Sequence, residues 1–191
     1  MKAAHVVVLI LFLAALIVLW WCYLHRHMVS RVVRKFPAGI VIHHTVTPPV
    51  LNGKSVDVAM IDAMHAHRGF AIKDHDGRVY HIGYHYLIQQ DGTVLTGRPE
   101  HLPGAHTKDH PDMLGIALVG NFQRSSNGGF RGPLTPPHAQ LLAAERLTRA
   151  LLAKYGLPAR CVYLHRDLRQ TACPGDGFPR DDFFRAITVR H

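Results

Sequence analysis

His165 and Cys173 stand eight residues apart in the stretch YLHRDLRQTACPGDG, residues 163–177. That interval is too wide for neighbours on one helical face and too irregular for a strand pair. It suits two ligands that leave and re-enter one point in space through a loop. A third candidate, His43, lies near the end of the β-branched run AGIVIHHTV at 38–46. Zinc in catalytic sites takes three protein ligands and keeps a fourth position for water, and two imidazoles with a thiolate meet that need. Zinc held this way polarises a carbonyl and brings the pKa of water toward neutrality, which is the chemistry of hydrolysis. Taken singly, a strand-end histidine is more often a hydrogen-bonded structural residue, and a lone cysteine a small buried hydrophobe. HExxH is absent, which disfavours a helical zincin.

Rigid elements must bring these residues together. AGIVIHHTV reads as a buried strand, LGIALVGNF (114–122) as another, and CVYLH (161–165) as a third that runs into the His165–Cys173 loop. YHIGYHYLIQQDGTVLTGR predicts a hairpin turning at Asp91-Gly92, a pair that tolerates positive φ. In SVDVAMIDAMHAHRGF, the residues Met60, Ile61, Met64 and His65 share a helical stripe. Ser55 or Asp57 is placed to cap it and Gly69 to stop it. TPPHAQLLAAERLTRALLAKYG predicts a long helix, with Thr135 as N-cap, Pro136 in the first turn, and Gly156 as terminator. Its apolar face is Leu141, Ala144, Leu147, Leu151 and Leu152. RDDFFRAI predicts a short closing helix. Strands interleaved with helices imply a single α/β domain whose central mixed β-sheet is flanked by α-helices.

Before that domain, Val6–Leu24 is a run of nineteen uncharged residues. As a helix it covers roughly 28 Å, near the hydrocarbon thickness of a bilayer. Trp20, Trp21 and Tyr23 gather at one end, where amphipathic rings favour the interface. No small-x-small cleavage site follows, so an uncleaved transmembrane anchor is preferred to a signal peptide. Residues 1–35 are thus expected to be an anchor with a basic juxtamembrane segment, and 36–191 the catalytic domain. Arg26, Arg31, Arg34 and Lys35 after the run favour a cytoplasmic body by the positive-inside tendency, against the outward location that the chemistry below implies.

The formal charge of +9 is concentrated there too: five of the 22 basic residues and none of the 13 acidic ones lie in the first 35 positions. What remains carries about +4, which suits an anionic polymer or surface but forms no nucleic-acid-binding pattern. Three cysteines with no CxxC pair exclude a disulfide framework.

Six segments, VIHHTVTP, HAHRGF, IGYHYLIQQDGTVLTGRP, GAHT, LGIALVGNF and HRDLRQTACPG, occur in this order across roughly residues 38–180. Together they resemble the zinc-dependent N-acetylmuramoyl-L-alanine amidases, the group that includes peptidoglycan recognition proteins and amidase-type phage lysozymes. The resemblance implies one Zn2+ per chain on His43, His165 and Cys173, with Tyr84 matching the catalytic tyrosine. Thr171 falls where some phage members have lysine and recognition proteins have threonine. His106 of GAHT is assigned to binding the muramyl peptide. His65 and Arg68 are candidates for gripping substrate, or else a helix-end cap and a solvated charge. Pro99-Glu100 stands where recognition proteins of the meso-diaminopimelate type often carry Gly-Trp, so stem-peptide preference is not implied.

The implied reaction is hydrolysis of the amide between the lactyl group of N-acetylmuramic acid and L-alanine of peptidoglycan or muropeptides. It would be performed by a monomer anchored in the cell envelope with its catalytic domain on the periplasmic or outer face. A non-catalytic peptidoglycan receptor and a cytoplasmic-facing muropeptide-recycling amidase are the alternatives. Retention of Cys173 and Tyr84 argues for the enzyme.

Overall fold

The structure, a computed structural model, describes residues 5, 13–21, 23, 36–124 and 132–188. It divides into two units, Met1–Lys35 and Phe36–His191. In the first, residues 13–21 are helical, with Trp20, Trp21 and Tyr23 exposed. Among the described residues no helix is long and apolar enough to cross a membrane. The expected span Val6–Leu24 falls in part outside them, at residues 6–12, 22 and 24.

The second unit is an α/β domain around a five-stranded mixed sheet. Strands β1 (Gly39–His44), β6 (Tyr86–Ile88), β7 (Val94–Thr96), β8 (Met113–Leu118) and β9 (Val162–Leu164) lie in the order β7-β6-β8-β1-β9. β1 pairs in parallel with β8 and β9, β6 in parallel with β8, and β6 antiparallel with β7. Two small ribbons, β2 (Val50–Leu51) with β3 (Lys54–Ser55) and β4 (Ile72–Lys73) with β5 (Val79–Tyr80), sit outside the sheet. The helices are α1 (Val58–Ala66), α2 (His138–Tyr155), α3 (His165–Leu168) and α4 (Arg180–Thr188).

Alternate residues of a strand face opposite sides of a sheet, and this chain uses the two sides differently. Ile40, Ile42, Leu114, Ile116 and Leu118 pack with Ala144, Leu151 and Leu152 of α2 and Phe183 and Ile187 of α4. On the other side Leu87, Ala117 and Val119 meet Val56, Ile61 and Ile82 beneath α1. Because β1 is covered on both sides, all six of its residues are buried, which is why GIVIHH reads as a continuous apolar run broken only by its histidines.

The predicted elements are found with shifted boundaries: the strand expected over 114–122 ends at Leu118, and α1 is capped at His67, two residues before Gly69. Asp57 caps α1, its carboxylate accepting from the Met60 N–H at 2.9 Å. The Asp91-Gly92 turn closes the β6–β7 hairpin, with Gly92 at φ +91°. Gly156 ends α2 in the left-handed region at φ 60°. The start of α2 is later than expected: the N-cap is Pro137 rather than Thr135, and no side chain caps the helix. Two successive prolines hold extended backbone up to His138, since a residue before proline is biased away from helical geometry.

The face of α2 that meets the core also carries two polar residues, Gln140 and Thr148, both fully buried. The Gln140 amide donates to the carbonyls of Ile88 at 2.8 Å and Val119 at 3.0 Å, tying α2 to the strand ends. Gln140→Ala should cost about 1–3 kcal/mol, the usual penalty for leaving buried polar groups without partners. The shift of the urea-unfolding midpoint at unchanged slope measures it.

Candidate metal and active site

Parallel pairing assembles the site. β1 and β9 run in register with Ile42 opposite Leu164, so the next residues, His43 and His165, leave adjacent C-terminal strand ends, where open α/β sheets commonly bind ligands. Their ring centroids are 4.5 Å apart. From His165 the chain makes the single turn of α3 before the loop: Asp167 Oδ2 accepts from the Leu164 N–H at 2.9 Å, and Arg180 pairs with Asp167 at 2.8 Å. The Arg166 N–H then donates to the Cys173 carbonyl at 3.0 Å, and its guanidinium to the Gly175 carbonyl at 3.1 Å. The loop thereby returns Cys173 Sγ to 3.6 Å from His43 Nδ1. One ligand atom from each of His43, His165 and Cys173 lies within 4.8 Å of the others.

The donor chemistry of this triad fits a soft divalent cation. His43 is 1% exposed and His165 Nε2 is buried without a hydrogen-bond partner. Burial, reinforced by the neighbouring His106 and His165, holds the His43 pKa well below its ordinary value, and burial lowers that of His165, with the Arg169 charge adding to the effect. Both imidazoles therefore present lone pairs rather than charge at neutral pH. Burial pushes the Cys173 thiol up to about 12, opposed by the hydrogen bond from the His44 N–H. That N–H donates to Sγ at 3.4 Å. A thiol so placed ionises when a metal shares its electrons, since a coordinating thiol is deprotonated outright.

The tautomer of His43 follows from a relay behind it. The Met113 carbonyl can only accept, so His106 Nε2 carries a proton and donates to it at 2.9 Å. His106 Nδ1 is then the acceptor, taking the His43 Nε2–H at 3.0 Å and the Thr107 hydroxyl at 3.1 Å. His43 is left with a bare Nδ1 facing Cys173. Both nitrogens of His106 are thus committed to the protein, and the residue is 9% exposed. The residue expected to bind the muramyl peptide thus hydrogen-bonds the ring of His43.

Space for that contact comes from Gly115 on β8, where a Cβ would lie 2.4 Å from the His106 ring.

Tyr84 stands on the other side, its ring 5.3 Å from that of His43. Burial raises its pKa, with the Cys173 charge adding to the effect, so the phenol is a proton donor at any ordinary pH. His65 lies 5.3 Å from the Tyr84 ring, is buried, and accepts the Gly83 N–H on Nδ1 at 2.9 Å. Arg68 is exposed just past α1, where its charge helps depress His65. Thr171 Oγ1 accepts the Cys173 N–H at 3.3 Å and keeps its hydroxyl proton for another acceptor. The structure therefore gathers His43, His165, Cys173, Tyr84, His65 and His106, places Thr171 beside Cys173, and leaves Arg68 outermost.

Residues 33–176 match the family described as N-acetylmuramoyl-L-alanine amidase. The chain belongs to this family. Relatives of this amidase chain include the endolysin of Enterobacteria phage T3, 33% identical over 137 residues (71% of this chain and 79% of the relative). A peptidoglycan-recognition protein of Drosophila melanogaster is 34% identical, over 71% of this chain and 67% of that protein. Among solved structures, the endolysin N-acetylmuramoyl-L-alanine amidase LysCS from Clostridium intestinale is similar at a TM-score of 0.61 and 33% identity. That match covers 79% of this chain and 83% of the other.

Several residues support the site of the amidase chain through partners that a reading of the sequence does not identify. His44 accepts the Phe122 N–H on its ring at 3.1 Å while its backbone serves Cys173. His85, fully buried, donates to the Leu102 carbonyl and accepts the Gly115 N–H. Asp62 takes the N–H groups of His81 and Ile82 at 2.8 and 2.7 Å and so fixes the segment leading to Tyr84.

Two outcomes follow. Gly115→Ala should displace the His106 ring, lowering stability by about 1–3 kcal/mol as overpacking does and shifting or abolishing the slowly exchanging His106 Nε2–H proton resonance in NMR spectra. For pH, burial depresses His44, His65 and His85 to about 4 and His106 to about 3, from an ordinary 6.5. Between those values the unfolded chain binds protons that the native one refuses, so stability rises with pH there. The urea midpoint of the metal-free chain should be level above about pH 6.5 and fall steadily toward pH 4.

Proposed function

We propose that residues 36–191 form a zinc-dependent N-acetylmuramoyl-L-alanine amidase that hydrolyses the lactyl-amide bond between N-acetylmuramic acid and L-alanine in peptidoglycan. The observation that carries this reading is the convergence of two neutral imidazoles and a thiol at the C-terminal ends of β1 and β9, beside a protonated phenol. His43 Nδ1, His165 Nε2 and Cys173 Sγ are the atoms that would hold Zn2+ at this site. The chemistry such a zinc supplies is polarisation of the amide carbonyl and acidification of water.

The chain's own residues do the rest. The relay from the Met113 carbonyl through His106 keeps the His43 lone pair aimed at the site, as partners behind a metal-binding histidine do elsewhere. Tyr84 keeps its proton and donates it as a hydrogen bond to the oxygen on which negative charge develops, a role in which one donor is worth about 3 kcal/mol. The free proton of the Thr171 hydroxyl is a second such donor. His65 holds the backbone of Gly83, next to Tyr84, and Arg68 at the rim suits the carboxylates of a peptide stem. A complete ligand triad favours the enzyme over a peptidoglycan receptor without turnover.

The uncharged run at residues 6–24, with its aromatic end, supports an N-terminal anchor, and an extracytoplasmic substrate favours a catalytic domain on the periplasmic or outer face. A reporter fused after His191 locates that end. An extracytoplasmic signal is expected, and a cytoplasmic one would transfer the activity to soluble muropeptides.

For the chemistry, Cys173→Ala should lose both bound zinc and muropeptide release. Tyr84→Phe should retain zinc while turnover falls about a hundredfold, the effect of one lost oxyanion donor. His106→Ala should weaken zinc affinity about 10- to 100-fold, as loss of a partner behind a ligand does. Zinc content measured alongside release of L-alanine-terminated peptides separates the three. Unimpaired hydrolysis by the Cys173 variant would overturn the metal assignment.

A further inference from the structure

A second group of metal-capable side chains meets away from the hydrolytic site, at the turn between β4 and β5. Asp74 Oδ1 lies 2.6 Å from His75 Nδ1 and 3.0 Å from His101 Nε2, and Oδ2 lies 3.1 Å from the latter. A ligand atom from each of the three residues falls within 4.8 Å of the other two. The Asp74 side chain is only 5% exposed, whereas those of His75 and His101 are 83% and 55% exposed. The buried member is thus an anion under two imidazoles open to solvent, which provides an entry path for an ion.

The carboxylate is held in place before any ion arrives. The Asp74 N–H donates to the Arg78 carbonyl at 2.8 Å, the Gly77 N–H to the Asp74 carbonyl at 3.0 Å, and the His75 N–H to Oδ1 at 2.7 Å. The hydrogen bond from His101, above all, holds the Asp74 carboxyl below the usual range. His101 lies within its own turn, where the Leu102 N–H donates to the Pro99 carbonyl at 3.0 Å.

Hydrogen bonding joins each ring to the carboxylate separately. A borderline divalent cation, by contrast, accepts a lone pair from each of the three atoms. Carboxylate oxygens and imidazole nitrogens bind zinc at about 2.0–2.2 Å, in a tetrahedral set that leaves one position to solvent. We propose that Asp74, His75 and His101 form a second cation site, for Zn2+ or a metal of similar softness, that clips the β4–β5 turn to the segment after β7. The chain from β5 continues to Tyr84, and that from His101 continues to His106, with the Leu102 carbonyl accepting from His85 at 3.0 Å. An ion here therefore braces both approaches to the hydrolytic site without touching the reacting atoms, and it goes beyond the one zinc of the proposed amidase.

Cobalt(II) titration of the full-length chain tests this, because only the Cys173 site can show thiolate-to-cobalt charge-transfer absorption. The wild type should take up two equivalents, one of them without charge-transfer absorption, and the second should raise Tm. The double variant His75→Ala/His101→Ala alters exposed residues outside the catalytic machinery. It should bind one equivalent, keep the charge-transfer band and lose the additional rise in Tm. A wild type that stops at one equivalent, or a double variant that still binds two, overturns the second site. Loss of the charge-transfer band with the His75/His101-dependent equivalent intact would instead overturn the thiolate site and leave this one standing.

Discussion

The site depends on one constraint: an imidazole buried inside a sheet must find a fixed partner for each nitrogen. His43 is surrounded by protein, and its Nε2–H is taken by His106, whose other nitrogen is bound to the Met113 carbonyl. That arrangement decides which face of His43 is basic, and it does so from backbone that the sheet already immobilises. An unanchored buried ring would pay for desolvation on both nitrogens. Here the same burial that disfavours protonation makes the ring a metal ligand.

The fold supplies the remaining geometry with few parts. Parallel pairing of β1 with β9 brings His43 and His165 to adjacent strand ends, although they are far apart in sequence. The loop from Asp167 to Gly175 is tied down by Arg166 and Arg180, which returns Cys173 to the same point. One face of the sheet packs under α2 and α4, while the other carries His43 and His106 beside a smaller aliphatic cluster. Stability and chemistry therefore compete little for the same side chains, with Gly115 as the position where both meet: it lacks a side chain so that the His106 ring fits against the strand.

Much of this was legible from residue type and order. The buried strand at 39–44, the Asp91-Gly92 hairpin, the α2 terminator at Gly156 and the His–Cys loop all have local physical signatures. What was not legible were features set by distant partners. Thr135 has the chemistry of an N-cap, but the two prolines after it carry the chain extended to Pro137. The hydrogen bonds of His106 depend on Met113 and on the space left by Gly115, seven to nine residues further on and on another element. Gln140 looks like a surface residue in a helical pattern, and only the ends of β6 and β8 beneath it explain its burial. The clusters around Asp62 in α1 and Asp74 in the β4–β5 turn were invisible for the same reason, since a single aspartate has no periodicity to betray its neighbours.

The central claim is that His43, His165 and Cys173 share one cation. X-ray absorption at the zinc edge tests it most directly, on the His75→Ala/His101→Ala variant loaded with one equivalent so that the inner site is observed alone. The account expects one sulfur at about 2.3 Å together with nitrogen or oxygen neighbours at about 2.0–2.2 Å. A first shell of nitrogen and oxygen only, with no sulfur, would contradict it.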